Sequence, residues 1–558
     1  MRVLILLGIL VCANMLASRF HYGLDMTKEK RFTLSPATKT MLRDMKDVMV
    51  IDVYLEGKMP ADFKRLREAV RDRLQTFKEY AGNHIIVHFI DPFEGKGEDE
   101  KKDIFQQLAS KGVGGVRAGE GDEGDYSEQI VFPYALVNYK GKSTPVALVE
   151  NRVGASRVEV LNYSESLLEY KFASAINKLN RNVPLSVAYI IGHGETLDYR
   201  SWYLLKTLGR QYKLDTMDLT FSTHIPISYD AVVINKPTDS FNDKEKFKID
   251  QYVMKGGHVL WCVDMLRTYM DSLQYSPQFI TTDYTLNLDD ILFRYGVRIN
   301  SDLVEDMQCN PMPMIMGRDA NGQPNMELRP WIYLPFFTPF SKHPIVNNMD
   351  AVMGTFVNSI DTIANPEIQK TVLLASSKYS RTTPSPVRVN LSMMLHMPKP
   401  EMFNKPYRPV AVLLEGKFHS IFQNRLPGST LHMLDSIGQR FKNACDTPTS
   451  MIVISDGDIF ANDMSQSTGP MEMGYYKYTK DMYANKSFLL NCMEYLTDHS
   501  GILEARSKDH RLRLLDTGRI KNERKTWEAL NTLLPIGLVL VFAVCYMFFR
   551  KRRYERKA

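Results

Sequence analysis

A chain of 558 residues, 44% apolar and 24% charged, is long enough for two to four folded domains. Those proportions exclude a disordered scaffold and a carrier built of many membrane spans. The net charge of +6 is modest and much of the excess lies in the terminal tail, so it reports on membrane topology rather than on nucleic-acid binding. Six cysteines, Cys12, Cys262, Cys309, Cys445, Cys492 and Cys545, show no CxxC spacing. They indicate neither a disulfide framework nor a zinc cluster, though one or two bridges among the middle four stay open if the body is exported.

Residues 1–20 begin MRVLILLGILVCANMLA, one arginine followed by an apolar run and no good small-x-small cleavage triplet. This pattern predicts an uncleaved signal anchor, the first membrane helix. Residues 22–182 are expected to form a small α/β domain. Ser35 caps a helix with Pro36 at its first position, Val48 to Gly57 is a strand, and Asp62 to Tyr80 is an amphipathic helix. HIIVHFIDPF follows as a strand parallel to the first. The glycine- and acid-rich residues 95–124 read as a surface loop, the next twenty as a hairpin, and LNYSESLLEYKFASAINKLNR as a closing helix.

Residues 183–510 predict a larger α/β domain. LSVAYIIGHGE, YDAVVINKP and HVLWCVD are buried strands separated by helices, the second stopped at Gly256. Strands and helices alternating at this spacing predict a doubly wound, mostly parallel sheet. A proline-punctuated insertion, about 269–346, interrupts it before KTVLLASSKYSR, PVAVLLEGKFHS, MIVISDGDIFAN and the helix SFLLNCMEYL resume the rhythm. Residues 511–529 form a charged stem. Residues 530–549 are an almost purely apolar stretch, and at about 1.5 Å per residue some twenty such residues cross a ~30 Å hydrocarbon core. Pro535 is expected near the start of that helix, and the basic residues of 550–558 keep the tail cytoplasmic. Two spans with both termini inside place the main body in the periplasm of a cell with an inner membrane.

Ligands of open α/β sheets sit at the carboxyl ends of the strands, which selects His193, Glu195, Asn235, Lys236 and Asp264 as one rim. Asp456 and Asp458 in SDGD add carboxylates two apart, suited to a hard cation or to a turn held by Asx hydrogen bonds. His193 and Glu195 are equally a base with its partner or a structural turn. Cys262 lies on a strand without the sharp elbow that exposes a nucleophile. GxxxxGK followed by Ser or Thr, HExxH, GxSxG and cofactor fingerprints are all missing from the sequence. No catalytic residue, cofactor or metal ligand is therefore assigned, and the seven rim residues stand as ligand-binding candidates.

The stretches LDMTKEKRFTLSPATKTML, IIGHGE, YDAVVINKPTDSFNDKEKFKIDQYVMKGGHVLWCVD, SDLVEDMQC, HPIVNNMD, KTVLLASSKYSR, PVAVLLEGKF, ISDGDIFAN and ARSKDHRLRLLD, in this order, resemble the GldG family of gliding-motility-associated ABC transporter auxiliary proteins of the Bacteroidota. The resemblance implies an integral membrane protein with a periplasmic region like that of intraflagellar-transport proteins, related in fold to amidotransferase-like sheets. It also implies a partner permease and a cytoplasmic ATPase, with self-association in a 2:2:2 complex as one arrangement. Amidotransferases carry a cysteine in a Gly-x-Cys-x-Gly turn, which this chain lacks, so the fold is expected to serve binding of a substrate or of an envelope glycan, peptide or protein. The other classes kept open are a periplasmic envelope hydrolase, which needs His193 and Glu195 to meet Cys262, Asp264 or Asp456 in one pocket, and a purely structural partner of the permease.

Overall fold

The computed structural model describes residues 33–120, 127–181, 183–318, 322–436, 438–465, 467, 469–507 and 517–555. Two compact units divide the chain, residues 1–509 and 510–558.

The first unit opens with α1 (Pro36–Arg43), capped by Ser35, whose hydroxyl accepts from Thr38 N at 3.2 Å. β1 (Met49–Val53) leads into α2 (Ala61–Ala81), which buries Phe63, Leu66, Val70, Leu74 and Phe77 on one stripe. β2 (Ile85–Phe89) returns parallel to β1, Met49 facing Ile85. The expected surface loop contains a helix, α3 (Glu98–Ser110). Its acidic first turn, Glu98, Asp99 and Glu100, complements the amino-terminal dipole, and Glu100 accepts from Gly97 N. Acidity that reads as loop thus starts a helix. β3 (Tyr134–Tyr139) and β4 (Lys142–Ala147) complete the antiparallel side of this sheet, order β2-β1-β3-β4, and α4 (Arg157–Asn180) packs against α2.

The largest sheet has seven strands. β5 (Ser186–Ile191), α5 (Trp202–Gly209), β6 (Lys213–Asp218), β7 (Ala231–Asn235), α6 (Asp243–Met254) and β8 (His258–Cys262) come first. After a long excursion, β9 (Val297–Ile299), β10 (Cys309–Arg318) and β11 (Pro324–Phe337) among it, the chain adds β12 (Ile368–Ala375), β13 (Pro409–Gly416) and β14 (Thr449–Ile454). The sheet order is β12-β13-β14-β8-β7-β5-β6. Pairings are parallel from β14 to β6 and antiparallel across β12, β13 and β14.

The expected doubly wound, mostly parallel, amidotransferase-like sheet with a transmembrane helix at each end is therefore corrected. The fold is mixed α/β, and eight of the ten sheets among the described residues contain antiparallel pairings alone. The physical reason is that a short, fully buried apolar run reads the same in a parallel and an antiparallel central strand. The direction reversal at β13 and the short ladders of the excursion leave no mark in such runs. The proline-punctuated insertion is itself ordered: β10 and β11 form a long antiparallel ribbon pairing Met312 with Arg329 and Met314 with Glu327. Trp331, Tyr333 and Phe356 pack their rings edge-on beneath it.

One apolar core runs continuously from β1, α2 and α4 to β5, β8 and the late helix α8 (Asn485–Thr497). Buried Glu494 on α8 ties this region together. It accepts from Tyr170 Oη at 2.9 Å and Ser174 Oγ at 3.1 Å, and lies 3.6 Å from Lys178 Nζ, all on α4.

The second unit is the helix α9 (Thr517–Glu555). Within it Thr526–Arg552 is, among the described residues, the one stretch long and apolar enough to cross a membrane, and its apolar side chains are exposed. Pro535 lies in the helix interior rather than near its start, because the helix begins well upstream in the charged stem. Such a proline is tolerated where neighbouring groups re-satisfy the freed carbonyl. The expected amino-terminal span, residues 1–20, lies outside the described residues.

Candidate functional site

In-register pairing of β7, β8 and β14 sets Cys262 beside both Asn235 and Ile454, so the residues just beyond these strands share one end of the sheet. Lys236, Asp264, Asp456 and Asp458 meet there. Lys236 Nζ donates to Asp458 Oδ2 and lies 3.5 Å from Asp264 Oδ2. Asp264 Oδ1 accepts from Gly457 N at 2.6 Å, and Asp456 Oδ1 accepts from Asp458 N at 2.8 Å, an Asx turn. A Cβ at position 457 would lie 2.8 Å from Lys236 Cβ, so only glycine lets the loop approach. Lys236 has φ of +53°, unusual for a residue with a side chain and a mark of a tightly determined site.

Burial dominates the electrostatics. It pushes the Asp264 carboxyl up to about 6, with Lys236 opposing. It raises Asp456 well above the usual carboxylate range, helped by the charges of Asp264 and Asp458. For Lys236, burial disfavours the ammonium, but Asp458 and Asp264 outweigh it and the group sits above its ordinary value. The arrangement sets Asp456, whose burial favours the protonated form, next to the lysine–carboxylate cluster of Lys236, Asp264 and Asp458.

This end of the sheet is closed by the chain itself. Thr355 N donates to Asp456 Oδ2 at 3.0 Å, and Asn358 N to Ser455 O at 3.0 Å. Ser455 Oγ donates back to Asn358 O at 2.6 Å, while Asn358 Oδ1 accepts from Met265 N at 2.7 Å. Asp264, Asp456 and Lys236 are consequently buried.

His193 and Glu195 belong to a different set. The imidazole is 2% exposed and stacks on Phe241 with ring centroids 3.7 Å apart. Its Nε2 lies 3.0 Å from Glu245 Oε2 and its Nδ1 3.7 Å from Glu195 Oε1. His193 N donates to Glu195 Oε2 at 2.7 Å. Burial opposes protonation of the imidazole, yet the two carboxylates outweigh it and raise its pKa. Gly194, at φ +80°, would place a Cβ 1.9 Å from Thr238 Oγ1. Asn235 is buried at the end of β7, its Oδ1 without a hydrogen-bond partner.

The seven rim residues are thus brought to one sheet end, six of them into two networks, around Lys236 and around His193, with Asn235 in neither. Cys262 is fully buried with its thiol pushed well above the ordinary value, the reverse of an activated nucleophile. The five cysteines among the described residues are free thiols. Sequence reasoning missed Glu245, which reaches His193 from the start of α6, and the 354–358 segment that covers the strand ends. The capping pattern Asn242 to Glu245 signalled a helix start, not a histidine partner.

Open space lies elsewhere on the body. One cleft of about 450 Å³ is lined by half-exposed Phe340, Tyr379 and Tyr407 with Gln308 and Lys378. A second, about 990 Å³, is bounded by residues of 289–298 and 420–425.

Among solved structures, an "mmIFT52 N-terminal domain" is 13% identical, covering 56% of this chain and 97% of its own at a TM-score of 0.30. A putative ThuA-like protein from Parabacteroides merdae is 10% identical, covering 56% of this chain and 91% of its own at a TM-score of 0.25. These scores are too low to carry an argument. An uncharacterized protein of Borreliella burgdorferi is 20% identical over 414 residues, 72% of this chain and 74% of the relative. A domain of unknown function, DUF7088, matches residues 28–138. None of these matches links the chain to gliding motility or to the Bacteroidota. Residues 185–492, more than half of the chain, match the auxiliary-protein model described as an ABC-type uncharacterized transport system, and the chain belongs to that family.

Proposed function

We propose that the protein is a non-catalytic, membrane-anchored auxiliary subunit of an ABC-type transporter, held by the carboxy-terminal helix with its body in the periplasm. The family match over residues 185–492 carries this reading. The exposed apolar stretch Thr526–Arg552, followed by a basic tail, supports the anchor and a cytoplasmic carboxy terminus. The partners would be a permease and an ATPase, with two copies of each as one arrangement, and the cargo side would be a substrate or an envelope glycan, peptide or protein. Residues 22–182 and 183–510 would act as one body through the shared core and Glu494. A role in gliding motility rests on the resemblance of the sequence stretches alone.

Within this reading, the rim networks of Lys236 and His193 hold the sheet end shut rather than perform chemistry. A hydrolase is disfavoured because His193 is buried, stacked on Phe241 between Glu195 and Glu245, and Cys262 is sealed. The test is purification of the tagged full-length chain from detergent-solubilised membranes, followed by mass spectrometry. Co-purification of a permease and an ATPase is expected; their absence under conditions that keep a known transporter complex intact would overturn the assignment.

A further inference from the structure

The cleft of about 990 Å³ gathers three arginines. Arg294, Arg298 and Arg425 line it, from α7 (Asp289–Tyr295), from β9 and from the loop after β13. Other arginines of the body do pair with acids, among them Arg67 with Glu56, Arg181 with Asp498 and Arg381 with Glu305. None of the three cleft arginines makes an ion pair with a carboxylate among the described residues. Arg294 stands one helical turn from Asp290 yet donates to Gln423 Oε1 at 3.1 Å. Asp290 is instead held by Lys246 at 2.9 Å, which leaves exposed Asp289 as the other acid at the mouth. Arg298 projects outward between buried Val297 and Ile299.

The walls are fixed from beneath by Asp250, fully buried on α6. It accepts from Tyr295 Oη at 3.1 Å at the end of α7, and from Ser420 Oγ at 2.6 Å and Ile421 N at 3.1 Å in the opposing loop. One buried carboxylate therefore ties the helix that carries Arg294 to the loop that leads to Arg425, and walls fixed in advance lose little freedom on binding. Phe293, 54% exposed, supplies an apolar surface beside them.

From this geometry we infer that the cleft binds an anionic ligand bearing phosphate or carboxylate groups, with an apolar or ring portion resting on Phe293. Guanidiniums present planar forks that match such oxyanions two bonds at a time, and three of them around one cleft, none in an ion pair, outnumber the acids Asp289 and Asp290 and favour an anion. The volume is at the upper end for a small-molecule site. This deepens the reading of the body as a ligand-binding subunit, and its test is separate from the co-purification that tests transporter membership.

Full-length protein in phosphatidylcholine nanodiscs is titrated calorimetrically with inorganic pyrophosphate and with citrate. Saturable binding of at least one is expected, weakened roughly tenfold or more in the double variant Arg298→Gln, Arg425→Gln. Both side chains are at the surface, so melting should be unchanged; Arg298→Lys, which keeps the charge but loses the fork, should bind less tightly and reads the same site if the double variant melts early. Repeating the titration in phosphatidylglycerol discs separates the sources. Competition would assign the cleft to a lipid headgroup, and an unchanged titration to a soluble anion; both support the inference. No binding of either probe, or equal binding by wild type and the arginine variants, would overturn it.

Discussion

Replacing Lys236 by methionine keeps most of the stem volume and removes the ammonium that faces Asp264 and Asp458. Removing one partner of a buried ion pair typically costs about 3–5 kcal/mol, because the remaining charge is stranded. Here part of that loss is recoverable. Asp264 sits at about 6 even with Lys236 pulling it down, so in the variant it rises further and protonating it at pH 7 costs less than about 1.4 kcal/mol; the expected loss therefore lies near the lower bound, about 3 kcal/mol. The loss should shrink further at pH 5.5, where Asp264 accepts a proton readily. Urea unfolding at the two pH values, followed through the fluorescence of fully buried Trp261 and Trp331, reads both quantities. Adding Asp264→Asn to the variant should restore part of the stability. A loss under about 0.5 kcal/mol at both pH values would refute the cluster as a structural lock, since that is the scale of an ordinary surface change.

Two further outcomes follow from the same physics. The imidazole of His193 has a raised pKa in the folded state, so the stability it contributes is fully present below about 6.5 and is lost as pH rises through the folded value. His193→Gln should therefore lower the melting temperature at pH 6 and differ less from wild type at high pH; a gap independent of pH would count against a charged imidazole between Glu195 and Glu245. Glu494→Ala leaves buried donors on α4 without an acceptor and should cost about 3 kcal/mol in urea unfolding, whereas a surface-like loss would show that α4 and α8 are joined by apolar contact alone.

Local elements were legible where a residue type has a single mechanical use. Ser35 before Pro36 announced a helix, and the stripe from Phe63 to Phe77 fixed the buried face of α2. Gly256, at φ +95°, marked the end of α6. Direction and pairing were not legible, because Ala411 to Leu414 and Val259 to Cys262 are equally apolar yet run opposite ways relative to β14. The rim was legible as a position: strand ends gather whatever follows them, and Lys236, Asp264 and Asp456 were gathered. Its closure was not, since Thr355 and Asn358 lie about a hundred residues from the aspartate and serine they bond. The arginine cleft was equally hidden, because Arg425 reaches Arg294 and Arg298 only through the folded loop above Asp250.

The contacts made by residues 354–358 have a consequence for anyone seeking to give this sheet a ligand. Thr355 and Asn358 present to the strand ends the very amides and carbonyls a guest would bring, and they do so from the same molecule. A tethered occupant of this kind acts at an effective concentration of millimolar order or higher. A visiting solute must outcompete it before it gains any contact of its own. Excising or lengthening that tether, more than altering the aspartates beneath it, is the change that would turn a plugged crevice into a receptive one.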